Sequence, residues 1–226
     1  MLTALCPDLR TALTRVGYDA DTLLPALGAD AHAALDRSEP VPVRRAARGL
    51  GELGVLVRVF LLGDGVSERE IAGALAPVRI DQAIAAGLLE RDGDEVRAAL
   101  DLRPLDAGAG TRWILSDLDD SMRRRTLTED HVLGVGHASL SLLRATPTRP
   151  VGTVLDLGTG CGVQAVHAAS YAQQVTATDV NSRALWLAEA TAALNGLDIE
   201  LLEGSWFEPV AGRRFDQVVA NPPFVV

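Results

Sequence analysis

Residues 156–162 read Asp-Leu-Gly-Thr-Gly-Cys-Gly, between an apolar run (153–157) suited to a buried parallel strand and a helical stretch opening at Val163. A glycine-rich turn in that place lets the backbone approach a ligand closely and points free N–H groups at it. Its candidate contacts are Asp156, Gly158, Thr159, Gly160, Cys161 and Gly162. A second strand (174–178) ends on Asp179, followed by Val180, Asn181 and a helix over 182–195. A carboxylate at the carboxyl end of such a strand can accept both hydroxyls of a ribose, and Ser182 is available to cap the helix, which frees Asp179 for a ligand. A third strand (199–202) runs into Glu203-Gly204-Ser205-Trp206-Phe207, and a fourth (215–220) into Asn221-Pro222-Pro223-Phe224. The two prolines stiffen that last loop. The Asn221 amide oxygen and the Pro222 carbonyl can then converge on one point beneath the Phe224 ring, a site for a planar –NH2. A nitrogen held there is aligned for in-line attack on an electrophilic methyl. Alignment does most of the catalytic work, and no metal, nucleophile or strong base is needed.

Placing these groups together requires the strand–helix alternation that begins at residue 151, the pattern of a parallel α/β sheet. The first hundred residues read differently. Apolar residues spaced by three and four predict helices over 2–16 and 19–35, and a further apolar cluster runs from Arg44 to Leu62. Ser67 with Glu70 is a capping-box pair opening a short helix to Ala76, and a second short helix spans 79–86. Residues 88–91, a tight turn at Asp92-Gly93-Asp94, and a strand over 96–102 follow. Helix, turn, helix and hairpin is the order of a winged helix. Between residues 66 and 106 five Arg face nine acids, so sequence-specific DNA binding is not expected of it. Residues 106–110 read as a small-residue linker, 112–118 as a strand, Arg123-Arg124-Arg125 as a solvated loop, and 128–143 as a turn leading into a helix.

The 226 residues carry a formal charge of −9 and are 48% hydrophobic, which excludes a disordered chain and argues against a broad nucleic-acid surface. Every apolar run stops well short of the ~20 residues of a membrane span, and the start lacks the order of a signal peptide. With Cys6 and Cys161 alone, neither a disulfide framework nor a multi-cysteine zinc site is available, and a reducing cytoplasm is the expected location.

On the motif Asp156–Gly162, the acid Asp179 and the tetrapeptide Asn221–Phe224, residues 151–226 resemble the first half of a class I S-adenosylmethionine-dependent methyltransferase. Within that superfamily they are similar to the small-domain group, which includes release-factor glutamine and ribosomal RNA guanine-N2 methyltransferases. The resemblance implies a Rossmann-like α/β domain, S-adenosylmethionine as cofactor and a macromolecular acceptor, either protein glutamine or an RNA base. It also implies catalytic roles for Asn221, Pro222, Pro223 and Phe224, and cofactor contacts from the glycine loop, Asp179, Val180, Asn181, Gly204, Ser205 and Trp206. Ser139 falls where the group has a pocket-lining helix, a looser match. The domains expected are a helical, winged-helix-like region (1–106), a linker with a preceding strand and helix (107–150), and the cofactor half of the methyltransferase domain (151–226). The family's sheet has seven strands and only four can be placed, so the chain reads as truncated after Asn-Pro-Pro-Phe. A nicotinamide-dependent oxidoreductase and a non-catalytic winged-helix binder are the competing readings. The acidic balance leans toward a protein acceptor.

Overall fold

The computed structural model describes residues 1–37, 39–108, 110–118 and 130–222. Five helices come first: α1 (Leu2–Val16), α2 (Ala20–Leu27), α3 (Ala29–Asp36), α4 (Pro40–Ala47) and α5 (Gly51–Leu56), the last continuing through a π-turn at Val57–Leu61. The single helix expected over 19–35 is two, broken at Gly28, whose φ of 80° no helix accommodates. Then come β1 (Val66–Ser67), α6 (Glu68–Leu75), α7 (Ile80–Ala85), β2 (Leu89–Asp92) and β3 (Glu95–Ala98). Ser67 and Glu70 form the capping box that opens α6. The three strands make one antiparallel sheet in the order β1-β3-β2.

The strand expected over 96–102 divides between two sheets. β3 ends at Ala98, and β4 (Asp101–Asp106) pairs antiparallel with β5 (Thr111–Ser116). Asp106 pairs with Thr111, so the stretch expected as a linker connects two paired strands. The hairpin is fixed to the rest of the molecule by side chains that imitate a neighbouring strand. Asn195 accepts from Trp113 N (2.9 Å) and donates to Trp113 O (2.7 Å), and Thr191 Oγ1 accepts from Leu115 N (3.1 Å). Backbone groups of a sheet edge that would otherwise be buried unpaired are thus satisfied.

The last part of the described chain holds α8 (His137–Ala145), β6 (Val151–Leu157), α9 (Val163–Ala168), β7 (Ala172–Asp179), α10 (Ser182–Asn195), β8 (Glu200–Glu203), a 3-10 turn (Glu208–Val210) and β9 (Gln217–Ala220). Its four strands are all parallel, ordered β8-β7-β6-β9. The order reverses between β6 and β9, where an open α/β sheet leaves a crevice at its carboxyl ends. The larger apolar core joins the two ends of the chain, with Cys6, Leu9 and Leu13 of α1 in the same cluster as Leu187, Ala190 and Leu194 of α10, and a second cluster around Val154, Val175 and Val219 lies against the parallel sheet. Among the described residues no helix is long and apolar enough to cross a membrane.

Candidate functional site

The glycine loop leaves β6 with Gly158, Gly160 and Gly162 all at left-handed φ (71°, 56° and 88°). Gly162 is needed twice over, because a Cβ there would also lie 3.3 Å from the Ala188 backbone where α9 packs on α10. Gly158 N and Thr159 N both donate to Thr178 O at 2.9 Å, which ties the loop to the end of β7.

Asp156, at the end of β6, is buried and tied to the loop through Thr159. It is 1% exposed and accepts from the Thr159 hydroxyl at 2.6 Å. Burial pushes its carboxyl up to about 6, partly offset by the Thr159 hydrogen bond. Keeping it ionised at neutral pH costs the fold roughly 3 kcal/mol. A raised carboxyl favours the folded state below its unfolded value near 4, and that contribution is lost as pH rises through about 6. Asp156→Asn is expected to flatten the urea stability profile between pH 4 and 6. A profile as steep as the wild type's would place the titration elsewhere.

Asp179, half-buried at the end of β7, reaches back to the loop: Oδ2 accepts from Gly160 N (2.9 Å) and Oδ1 from Asn181 N (3.0 Å). The cap of α10 is Asn181 and not Ser182. Asn181 Oδ1 accepts from Arg183 N at 2.9 Å, and its amide donates to Asp130 O at 3.0 Å. Val180 beside it is 65% exposed. Gly204 N donates to Asp179 O (3.0 Å), which draws the segment after β8 alongside, with Ser205 exposed and Trp206 64% exposed. Cys161 points inward, its thiol donating to Leu133 O at 3.4 Å and pushed by burial up to about 12, so it is no nucleophile.

At the end of β9, Asn221 is half-buried and its amide nitrogen donates to the Ser139 hydroxyl of α8 at 3.3 Å; Pro222 is exposed. The structure thus brings Ser139 and Asn221 together. Pro223, Phe224, the Arg123–Arg125 run and the start of the 128–143 segment lie outside the described residues. Two groups carried no signal in the sequence. Asp117, just beyond β5, forms an ion pair with Arg183 of α10 and accepts from Val132 N at 2.9 Å, which holds residues 130–133 against the glycine loop and Asn181. Gln164 is buried on α9.

An open glycine loop at a switch point, an acid ending the next strand and an asparagine ending a third belong to an α/β methyltransferase-like fold. Residues 131–226 match the family described as "Methyltransferase small domain", and residues 15–99 match "Domain of unknown function (DUF7059)". The chain is similar to the release factor glutamine methyltransferase of Bordetella pertussis, 44% identical over 75 residues, covering 32% of this chain and 28% of that protein. It is 39% identical over 93 residues to ribosomal RNA small subunit methyltransferase C of Salmonella arizonae, covering 40% of this chain and 27% of that protein. Among solved structures, the ribosomal protein L11 methylase of Lactobacillus delbrueckii subsp. bulgaricus aligns at 38% identity and a TM-score of 0.34, over 38% of this chain and 44% of that one. The chain therefore spans little more than a quarter of these curated relatives.

Asp179→Ala is expected to weaken S-adenosylhomocysteine binding by about 1.5–3 kcal/mol, the worth of hydrogen bonds to a charged group. It releases the Gly160 N–H as well. Calorimetry giving wild-type affinity would show that Asp179 only braces the loop.

Proposed function

We propose that this chain is an S-adenosylmethionine-dependent N-methyltransferase acting on a planar amide or amino nitrogen, with a protein glutamine side chain as the favoured acceptor. The observation that carries the reading is the meeting of the glycine loop, Asp179 and Asn221 at the carboxyl ends of β6, β7 and β9. The residues fit the cofactor. A Cβ placed on Gly158 would meet nothing within 4 Å, so that part of the loop is open, and exposed Val180 and Trp206 next to Asp179 offer apolar cover for a flat ring. The cofactor supplies a methyl group on a sulfonium, an electrophile that needs no acid. The open backbone face at Gly158 and the Asp179 carboxylate would receive and orient it. The Asn221 oxygen and Pro222 carbonyl accept the two N–H bonds of the acceptor, aim its lone pair, and stabilise the positive charge that grows on nitrogen.

The acidic balance of −9 supports a protein acceptor. An RNA base amine is the second reading, supported by the longer match to the ribosomal RNA enzyme. Tritiated S-adenosylmethionine offered with an unmethylated release factor, and separately with unmethylated small-subunit ribosomal RNA, separates them. Label in the release factor supports the first, label in RNA alone moves the assignment to the second, and label in neither overturns methyl transfer by this chain.

The unit of α6, α7 and the β1-β3-β2 sheet serves as a winged-helix docking scaffold and not as a DNA reader. Three of its four arginines are neutralised at home: Arg79 by Asp81 (2.7 Å), Arg91 by Glu68 (2.7 Å), and Arg97 by Asp92 (2.9 Å). Duplex-DNA binding by the full chain is expected to be weak and to collapse with added salt. A Kd below about 10⁻⁸ M at physiological salt would sink this assignment.

A further inference from the structure

Asn221 is held by a short chain of hydrogen bonds. Its amide nitrogen donates to the Ser139 hydroxyl (3.3 Å), and the Ser139 carbonyl accepts from Gln164 Nε2 (2.8 Å). The three residues stand at the end of β9, on α8 and on α9, so the chain links the acceptor loop to the helix that leaves the glycine loop. A carbonyl can only accept, which fixes the orientation of the Gln164 amide: its nitrogen faces Ser139 and its oxygen faces away. That oxygen is buried without a partner among the described residues, on a side chain only 4% exposed.

Packing does not account for such a group. Val163, Ala165, Val166 and Ala168 on the same helix are buried and apolar, and an apolar side chain at 164 would avoid stranding an acceptor. Ser139 lies in the first turn of α8, where its carbonyl already serves the helix ladder, so the fold does not require the Gln164 amide there either. What the amide adds is a fixed place for Ser139. The Ser139 hydroxyl then takes the Asn221 nitrogen, which turns the Asn221 oxygen away from α8.

We propose that Gln164 and Ser139 are positioning residues that set the Asn221 amide for the acceptor nitrogen. The assignment rests on the methyl-transfer reading above, and its test is chosen to work without turnover. Gln164→Met keeps length and burial and removes the amide, Ser139→Ala removes the hydroxyl, and Ser139→Thr keeps it. In the 15N-labelled full chain, the Asn221 side-chain NH2 pair is assigned by its loss in Asn221→Ala. In Gln164→Met and Ser139→Ala, its two proton shifts are expected to move toward those of a free carboxamide and its hydrogen exchange to quicken, while Ser139→Thr keeps the wild-type signal. In Gln164→Met, S-adenosylhomocysteine affinity should stay at the wild-type value and the Tm should hold or rise, because a stranded acceptor is gone. On whichever acceptor the wild type labels, Gln164→Met should lower kcat about 10- to 100-fold, the scale of a misplaced group. An Asn221 signal untouched by Gln164→Met overturns the proposal. So does a Tm that falls together with the signal, which marks a purely structural role. If the wild type labels no acceptor, the methyl-transfer reading fails, and the amide signal still decides whether Gln164 and Ser139 hold Asn221.

Discussion

Asn221→Ala is expected to lower kcat for methyl transfer by about 10²–10³-fold, the scale found when one preorganised transition-state hydrogen bond is removed, while S-adenosylhomocysteine binds as in the wild type. The two effects separate because of where Asn221 stands. Its side chain bonds to Ser139 on α8, whereas the glycine loop is held by Thr178, Asp156 and Asp179. Removing the amide therefore leaves every bond that shapes the cofactor loop in place. What is lost acts on the acceptor nitrogen, whose N–H bonds polarise as it attacks, so the interaction strengthens on the way to the transition state and appears in kcat. Single-turnover rates compared with calorimetric Kd values provide the measurement. A fall in both together would show that Asn221 supports the pocket and does not act on the acceptor.

The parts of this site that were legible in the sequence are those in which one short segment both ends a strand and carries the chemistry. Asp156 to Gly162, Asp179 and Asn221 each sit where an apolar run stops, and a parallel sheet gathers all such ends at one edge. Local ambiguity defeated the finer reading. Asn181 and Ser182 are adjacent and both cap well, and only the structure shows that Asn181 takes Arg183 N. Residues 106–110 have the small, flexible composition of a linker, which is also that of a hairpin turn; the choice depends on β4 and β5 pairing. Between Ala98 and Asp101 no glycine or proline marks the passage from one sheet to another, so two strands read as one. Long-range pairs left no trace at all. Asp117 and Arg183 are 66 positions apart, and Gln164 looks like a solvent-facing residue until α9 is seen to be buried on every side.

Asp117→Ala is expected to destabilise the protein by about 1–3 kcal/mol, the cost of stripping the hydrogen bonds from a charged group, because the Arg183 side chain is 34% exposed and water can reach the guanidinium left behind. The Asp117 side chain is 9% exposed. It receives Arg183 through two guanidinium nitrogens and also accepts from Val132 N. Deleting the carboxylate leaves the guanidinium of Arg183 uncompensated and frees residues 130–133, which lie against Cys161 and Asn181. Urea unfolding should show the loss, and S-adenosylhomocysteine affinity should fall with it. Burial alone would push the Asp117 carboxyl up, but the Arg183 hydrogen bond, the Val132 N–H and the Arg183 charge outweigh it and hold the group below its ordinary value. A carboxyl depressed in the fold contributes stability above its unfolded value of about 4 and loses it as pH falls through the lower folded value. The gap between wild type and Asp117→Ala should therefore be full at neutral pH and narrow below about pH 4. Asp117→Leu combined with Arg183→Met should recover part of the loss, because no charge is then left without its partner. A gap under about 1 kcal/mol, the ordinary worth of a surface pair, would mean that the 130–133 segment is held by its backbone and apolar contacts alone and that Asp117 has no part in shaping the site.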